Sequence, residues 1–322
     1  MLRHLVPRCP MPVFDSSTIA ADGTPVVAGA LPNVARRAPT PALDPVFPLL
    51  LALADDETAA AAVRIALALA DRKGAVPTVV RALGDLRAAE VAVSPLGGIA
   101  LEEYFSPEYA RVCRLAVEKQ VRSIAGPVAW PLDITDQSPI EAIVARARGM
   151  RDGLIIMGLR HHGVLRRAIS RDLLSEVLRA TRLPVLAVRA DILALPKRVV
   201  VAIDFGAASI RAAHLARHLM DSDGAMYFVH VSRENTDGLR ARLDALVDDL
   251  APAPGVTVSS ILLHGDVQSS VEGLAHAVDA DLLAVGKEEH SLFDRLATGS
   301  MSMKLAHTAR WSTLIVPSRH TS

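Results

Sequence analysis

A glycine, a second glycine and a serine near the C-terminus have the order of an anion-binding site. The apolar run Asp281–Val285 ends at Gly286, which predicts a buried parallel strand followed by a tight turn. A polar loop follows, and Gly299 and Ser300 then open a segment with helical spacing of its apolar residues. Helix N-termini present unpaired N–H groups to anions, so this order predicts a phosphate site. Gly299 has no side chain to keep an anion from the backbone N–H groups, and Ser300 adds a hydroxyl donor.

Polar or flexible residues also end the three preceding apolar runs of the same region. Asp204 ends one run, His230-Val231 ends the next, and Gly265-Asp266 follows the third. The carboxyl ends of parallel strands meet at one edge of a sheet, where α/β folds bind their ligands. Each residue also has a purely structural interpretation. Asp204 can cap the following helix, His230 can be a satisfied strand-end histidine, and Gly265-Asp266 can be a turn and a helix cap.

The elements that carry these residues belong to an internal duplication. The segment DGLIIMG matches DLLAVG, and LPVLAVR matches STLIVPS, each pair about 128 residues apart. Each half reads as five strands alternating with helices, so the sequence predicts an α/β protein with two doubly wound five-stranded parallel-sheet domains in tandem. We expect the domains at residues 45–191 and 196–320. Residues 1–44 are rich in Pro, Ala, Thr and Ser, which favours an extension with little structure.

With these residues the chain resembles the universal stress protein family, whose phosphate motif is G-x2-G-x9-G-[ST]. Gly286, Gly299 and Ser300 match that motif, and Glu289 stands in place of its middle glycine. The resemblance implies an adenine-nucleotide α-hydrolase-like (HUP-type) fold and a regulatory protein that binds ATP, with Mg, or a related nucleotide.

The same resemblance implies further nucleotide-binding residues in the second domain. Asp204 matches an aspartate that faces the nucleotide, Val231 matches a valine whose backbone reads the adenine edge, and Gly265 matches the glycine of a Gly-Asp pair. Glu289 would hinder a bare phosphate, or it would hold a divalent ion.

The first half keeps the fold pattern but lacks the site. Gly158 is retained, His161 stands at the middle glycine, and Arg171-Asp172 replaces Gly299-Ser300. A bulky arginine at the helix start removes the bare backbone that a phosphate nest requires. The surrounding arginines and histidines fit a solvated loop, or an anion site built from side chains. No metal is assigned to them, because the adjacent histidines lack the spacing of a metalloprotease helix.

The composition indicates which binding partners and which cellular compartment to expect. The chain has 35 Lys and Arg residues and 35 Asp and Glu residues. Its net charge therefore does not favour binding to nucleic acid or to an acidic membrane. Two cysteines, Cys9 and Cys113, are too few for a disulfide framework, which favours a reducing cytoplasm. No apolar run is long enough to span a membrane.

The sequence favours a binding protein over an enzyme. It contains no G-x-S-x-G elbow, no G-x-x-x-x-G-K-[ST] loop and no SGGxDS loop of the adenylating enzymes. Two alternatives stay open: a scaffold of the same fold that binds no nucleotide and acts through protein partners, and a slow nucleotide phosphohydrolase. The apolar segments Pro184–Val188 and Thr313–Val316 are expected to pair, which makes the chain an intramolecular pseudo-dimer and leaves a homodimer open.

Overall fold

Strands and helices alternate along the first half of the chain, as its periodicity predicts. The elements are β1 (Leu49–Ala52), α1 (Thr58–Lys73), β2 (Thr78–Ala82), α2 (Pro107–Ala125), β3 (Leu132–Thr135), α3 (Pro139–Arg148), β4 (Leu154–Leu159), α4 (Arg167–Ala180) and β5 (Val185–Arg189). They come from a computed structural model that describes residues 48–54, 56–83, 107–159, 167–232, 237–250, 255–287 and 310–318. The predicted extension at residues 1–44 therefore lies outside the described residues.

The second half repeats the alternation. Its elements are β6 (Arg198–Ala202), α5 (Ala207–Leu219), β7 (Ala225–Ser232), α6 (Asp237–Asp249), β8 (Thr257–His264), α7 (Val267–Ala277), β9 (Leu282–Lys287) and β10 (Ser312–Pro317). The helix expected to start at Gly299-Ser300 lies outside the described part of the chain.

The ten strands of the described ranges join in one sheet, in the order β3-β2-β1-β4-β5-β10-β9-β6-β7-β8. The strands within each half are parallel, and the first strand of each half lies between the second and the fourth. This order is the doubly wound arrangement that the sequence predicts. It creates a switch point between β1 and β4 and another between β6 and β9, where ligand crevices form in such sheets.

The two halves meet at an antiparallel pair of strands, β5 and β10, with Leu186 opposite Leu314. This pairing of the last strands follows the sequence-based prediction. The pair joins the two five-stranded parallel sheets of the halves into one continuous mixed sheet. Pairing satisfies the backbone groups that two apolar edge strands would otherwise expose. Across the seam, Lys287 Nζ also donates to the Leu178 carbonyl oxygen at 2.9 Å.

Each face of the sheet carries its own apolar core, because successive strand residues point to opposite faces. Leu49 and Leu51 of β1 pack in the core that α1, α2, α5 and α6 cover, whereas Leu50 packs in the core that α3, α4 and α7 cover. The strands read as nearly continuous apolar runs for this reason. No helix in the described ranges is long and apolar enough to cross a membrane.

The outermost strand of the first half, β3, is shorter than its apolar run Val128–Ile134 predicts, since it begins at Leu132. Pro131 directly precedes it and cannot donate to a ladder. The Pro131 carbonyl accepts from the Val79 N–H of β2 at 2.8 Å. The Leu132 carbonyl points to the opposite, outer side, where Arg114 Nη1 of α2 donates to it at 3.3 Å.

Candidate functional site

Asp204 stands directly beyond β6, at the switch point of the second half, and its side chain is exposed. Its Oδ1 accepts a hydrogen bond from the Gly206 N–H at 2.8 Å, which closes an Asx-type turn. Its own N–H donates to Ser209 Oγ at 3.3 Å. The turn links β6 to α5 and fixes where the carboxylate of Asp204 stands.

Phe205, the next residue, has a left-handed backbone with φ of +63°. Its ring lies 4.7 Å from the imidazole of His230, centroid to centroid, and the guanidinium carbon of Arg242 lies 4.2 Å from its centroid. A cation over an aromatic face is attracted by the ring quadrupole. Phe205 and Arg242 were not predicted as site residues, because neither belongs to a motif and a left-handed phenylalanine has no sequence signal.

His230 has a structural role in this stack. Its Nδ1 lies 2.7 Å from the Ile203 carbonyl oxygen. A carbonyl only accepts, so Nδ1 carries the proton of this bond. In the first half, Arg81 Nη1 donates to the Leu53 carbonyl oxygen at 3.2 Å. The strand registers place Arg81 and Leu53 where His230 and Ile203 stand, so both halves hold this carbonyl with a side chain of the second strand.

The backbone N–H and C=O of Val231 face the space beyond the end of β6. The Ile203 N–H donates to the Val229 carbonyl oxygen at 2.8 Å, so the backbone groups of Val229 face β6. Backbone groups alternate sides along a strand, so the N–H and C=O of Val231 face the same way. The register between β6 and β7 ends at Ala202 opposite Val229. The Val231 donor and acceptor therefore point into the space beyond β6, beside Asp204.

Gly265 forms the turn between β8 and α7, with φ of +118°. Its N–H donates to the Ser232 carbonyl oxygen at 3.3 Å, and Asp266 Oδ1 caps α7 by accepting from the Ser269 N–H at 3.0 Å. The turn and the cap of the structural interpretation are thus both present. Ser270 Oγ is buried without a hydrogen-bond partner in the described ranges, 3.7 Å from where a Cβ on Gly265 would stand.

Gly286 lets α5 approach the sheet. A Cβ at this position would lie 2.4 Å from the Ser209 nitrogen and 2.7 Å from the Ala208 carbonyl carbon. Gly158 has the same role in the first half, where a Cβ would lie 1.8 Å from Thr58 Oγ1. Both glycines are therefore explained by helix–strand packing, whether or not a ligand is bound.

A comparison with sequence families identifies the chain. The sequence model of the universal stress protein family matches it twice, over residues 47–189 and 196–317. The chain belongs to the universal stress protein family. A search of the curated proteins returned no match.

Solved structures of universal stress proteins are similar in fold. One from Archaeoglobus fulgidus DSM 4304 is 17% identical, with a TM-score of 0.59 over 84% of this chain and 98% of that chain. A putative universal stress protein from Pseudomonas aeruginosa UCBPP-PA14 is 14% identical, with a TM-score of 0.56 over 84% and 93%. A universal stress protein in complex with cAMP is 24% identical over 40% of this chain and all of that chain, with a TM-score of 0.31.

The structure describes only part of the family's phosphate motif. Gly286 is described, whereas Glu289, Gly299 and Ser300 lie outside the described residues. In the first half His161 and its basic neighbours also lie outside them. Arg171-Asp172, expected at a helix start, lies beyond the first turn of α4, which begins at Arg167. Within the described ranges, no group of three or more His, Cys, Asp or Glu side chains is placed to hold a metal ion.

Proposed function

We propose that this universal stress protein binds ATP or a related adenine nucleotide at the carboxyl edge of its second half, and acts as a regulatory protein rather than an enzyme. One observation carries the proposal: the Val231 N–H and C=O face the open end of β6 beside the exposed Asp204. The first half lacks this combination, because Ala54 follows β1 where Asp204 follows β6.

The chemistry of these groups suits an adenosine. An adenine edge carries donors and acceptors that pair with the N–H and C=O of one extended residue, here Val231. Asp204 uses Oδ1 to accept from Gly206, and a carboxylate has further lone pairs with which to accept from a ribose hydroxyl. Val231, Asp204 and Gly286 end neighbouring strands, in the order β7-β6-β9. A nucleotide lying across these ends would direct its phosphates toward the loop after Gly286.

The phosphates and magnesium would be held by residues assigned from sequence alone. Gly299 and Ser300 match the family's phosphate loop, and Glu289 stands in place of its middle glycine. Magnesium would arrive with the nucleotide as its counterion, since the described ranges contain no cluster of ligands for it. The Glu289 carboxylate would add a second negative charge to that of the triphosphate. ATP would therefore need the magnesium ion to neutralise its phosphates when it binds.

Titration calorimetry of the full chain with ATP and MgATP tests the proposal. Asp204→Ala removes a charged acceptor and should weaken binding about tenfold or more, since a hydrogen bond to a charged group is worth about 1.5–3 kcal/mol. Asp249→Ala is the control, because this exposed carboxylate ends α6 away from the carboxyl edge. Equal affinities for wild type and both variants would exclude Asp204 from the site.

A scaffold that binds no nucleotide is the second candidate. It is favoured because three of the proposed site residues have a structural role that needs no ligand. Asp204 closes a turn, Gly265 adopts a left-handed turn and Gly286 admits α5. Absence of any calorimetric signal or stabilisation at millimolar MgATP would support the scaffold. Release of inorganic phosphate over hours would instead indicate the slow phosphohydrolase.

A further inference from the structure

A cavity of about 580 Å³ lies over the seam between the two halves, on the face of the sheet that α1 and α5 cover. Both halves line it, with Leu69 of α1 and Leu186 of β5 from the first, and Leu219 of α5 and Leu282 of β9 from the second. The segment that connects the halves contributes residues 191–197 to the lining. The carboxyl edge of β6, where the nucleotide is proposed to bind, does not contribute to it.

The cavity is large and aliphatic. Among the described residues, its apolar lining consists of leucine, isoleucine, valine, alanine and proline side chains, without an aromatic ring. Leu193 of the connecting segment lines it while 74% exposed, so an occupant would remove a large apolar surface from water. An apolar void of about 150 Å³ is enough to hold benzene, and pockets for small ligands measure about 300–1,000 Å³. The volume and the lining fit a flexible aliphatic chain.

The charges at the rim already have partners of opposite sign. Lys197 Nζ lies 3.1 Å from Asp223 Oδ2, and Arg198 Nη2 lies 2.9 Å from Asp279 Oδ2. Asp281 Oδ2 accepts from the backbone N–H groups of Lys197 and Arg198 at 2.9 and 2.8 Å. A charged ligand would have to compete with these contacts, so the rim favours an uncharged one.

One buried polar group lines the cavity. Ser312, at the start of β10, is 5% exposed, and its Oγ accepts from the Arg189 N–H at 3.2 Å. A serine hydroxyl that accepts one bond still has a proton to donate. The Ser312 hydroxyl can therefore bind one acceptor atom of a ligand.

We infer that the seam cavity binds an uncharged aliphatic molecule with a single hydroxyl end, of the chemical class of a medium-chain alcohol. The chain would lie among the leucines of both halves, and its oxygen would accept from Ser312. Because the ligand contacts both halves, it stabilises their association. A molecule that binds only the folded state raises the melting temperature as its free concentration rises above its Kd.

Titration of the full chain with 1-octanol, followed by methyl NMR and thermal unfolding, tests this inference. The methyl resonance of Ile65, which lines the cavity, should shift with saturation, and that of Ile143, buried on the opposite face, should not. Octanoate, with the same chain length and a charged end, should bind more weakly. Absence of octanol binding, a shift at Ile143 instead of Ile65, or equal binding of octanoate would overturn the inference.

Two exposed leucines provide a matched pair of variants. Leu193→Ser should weaken octanol binding about tenfold, which corresponds to about 1.4 kcal/mol or roughly two buried methylene groups. Leu115→Ser should leave it unchanged, because Leu115 is 55% exposed on α2 and does not line the cavity. Ile65→Phe should abolish binding by filling the space. If Ile65→Phe does not fold, the leucine pair decides: an equal loss in both variants would contradict the inference.

Discussion

Substitution of Gly286 by alanine separates the two roles of this glycine. As a member of a phosphate motif, Gly286 would affect ATP affinity and leave the stability of the free protein unchanged. As a packing residue, it would affect stability with no nucleotide present. A Cβ at Gly286 would lie 2.4 Å from the Ser209 nitrogen, 2.7 Å from the Ala208 carbonyl carbon and 2.8 Å from the Ser209 Cα. All three atoms are backbone, so no side-chain rotation relieves the contact.

The first turn of α5 would have to move away from β9 to admit the methyl group. Separations under 3.0 Å are essentially never seen for a real Cβ, so the helix must move by more than half an ångström. Ala212 and Ala216 of α5 are fully buried against the sheet, so the movement opens gaps in that core. Inserting a methylene into a packed core costs about 1–3 kcal/mol. We expect a loss of roughly 2 kcal/mol, or about 4–8 °C in melting temperature.

Thermal and urea unfolding of the nucleotide-free protein measure this effect. Gly273→Ala is the control, because Gly273 lies inside α7 with no atom within 4 Å of a Cβ. That change should stabilise the protein by about 0.5–1 kcal/mol through helix propensity. If Gly286→Ala is as stable as wild type, α5 does not depend on the glycine for its approach, and the packing explanation is wrong.

Four further predictions concern the seam, the sheet edges and the site. Residues 196–322 expressed alone should dimerise or aggregate, because β10 loses its partner β5; a stable monomer in ultracentrifugation would contradict this. Arg240→Ala should promote self-association on size exclusion, because Arg240 Nη1 donates to the outer Ser260 carbonyl of edge strand β8 at 2.9 Å. Arg122→Ala, which breaks only an exposed i,i+4 pair, is its control and should stay monodisperse. Glu289→Gly should tighten ATP binding in calorimetry by removing a like charge, and unchanged affinity at every magnesium level would place Glu289 away from the phosphates. Gly299→Asp should abolish ATP binding without altering the melting temperature of the free protein.

Much of the fold could be predicted from the sequence because each half alternates apolar runs with helical periodicity. The sequence predicts a helix over Pro139–Arg148, and α3 has these bounds, since Ser138 forms a capping box with Glu141 and Pro139 occupies the first helical position. The duplication also predicted which strands would meet at the seam. It did not predict the register of that pair, in which Leu186 lies opposite Leu314, because two short apolar runs can pair in several registers.

The candidate site was harder to predict, because a residue type does not reveal which atoms are already paired. Asp204 was recognised from its place at a strand end, yet its bond to Gly206 depends on the left-handed φ of Phe205. A bulky residue in that conformation is an outlier that no propensity predicts. The role of Gly286 was also invisible, because only the path of α5 shows what a side chain would meet.

The two halves differ at the edge where we propose that the nucleotide binds, and they agree at positions that hold the sheet. Gly158 and Gly286 both admit a helix, and Arg81 and His230 both bind the carbonyl oxygen that follows the first strand. Asp204 has only Ala54 as its counterpart. Packing therefore explains the features that the two halves share. The Asp204 carboxylate, which closes a turn and has further lone pairs with which to accept, stands beside the Val231 N–H and C=O, and this placement supports the proposed ligand that would use both.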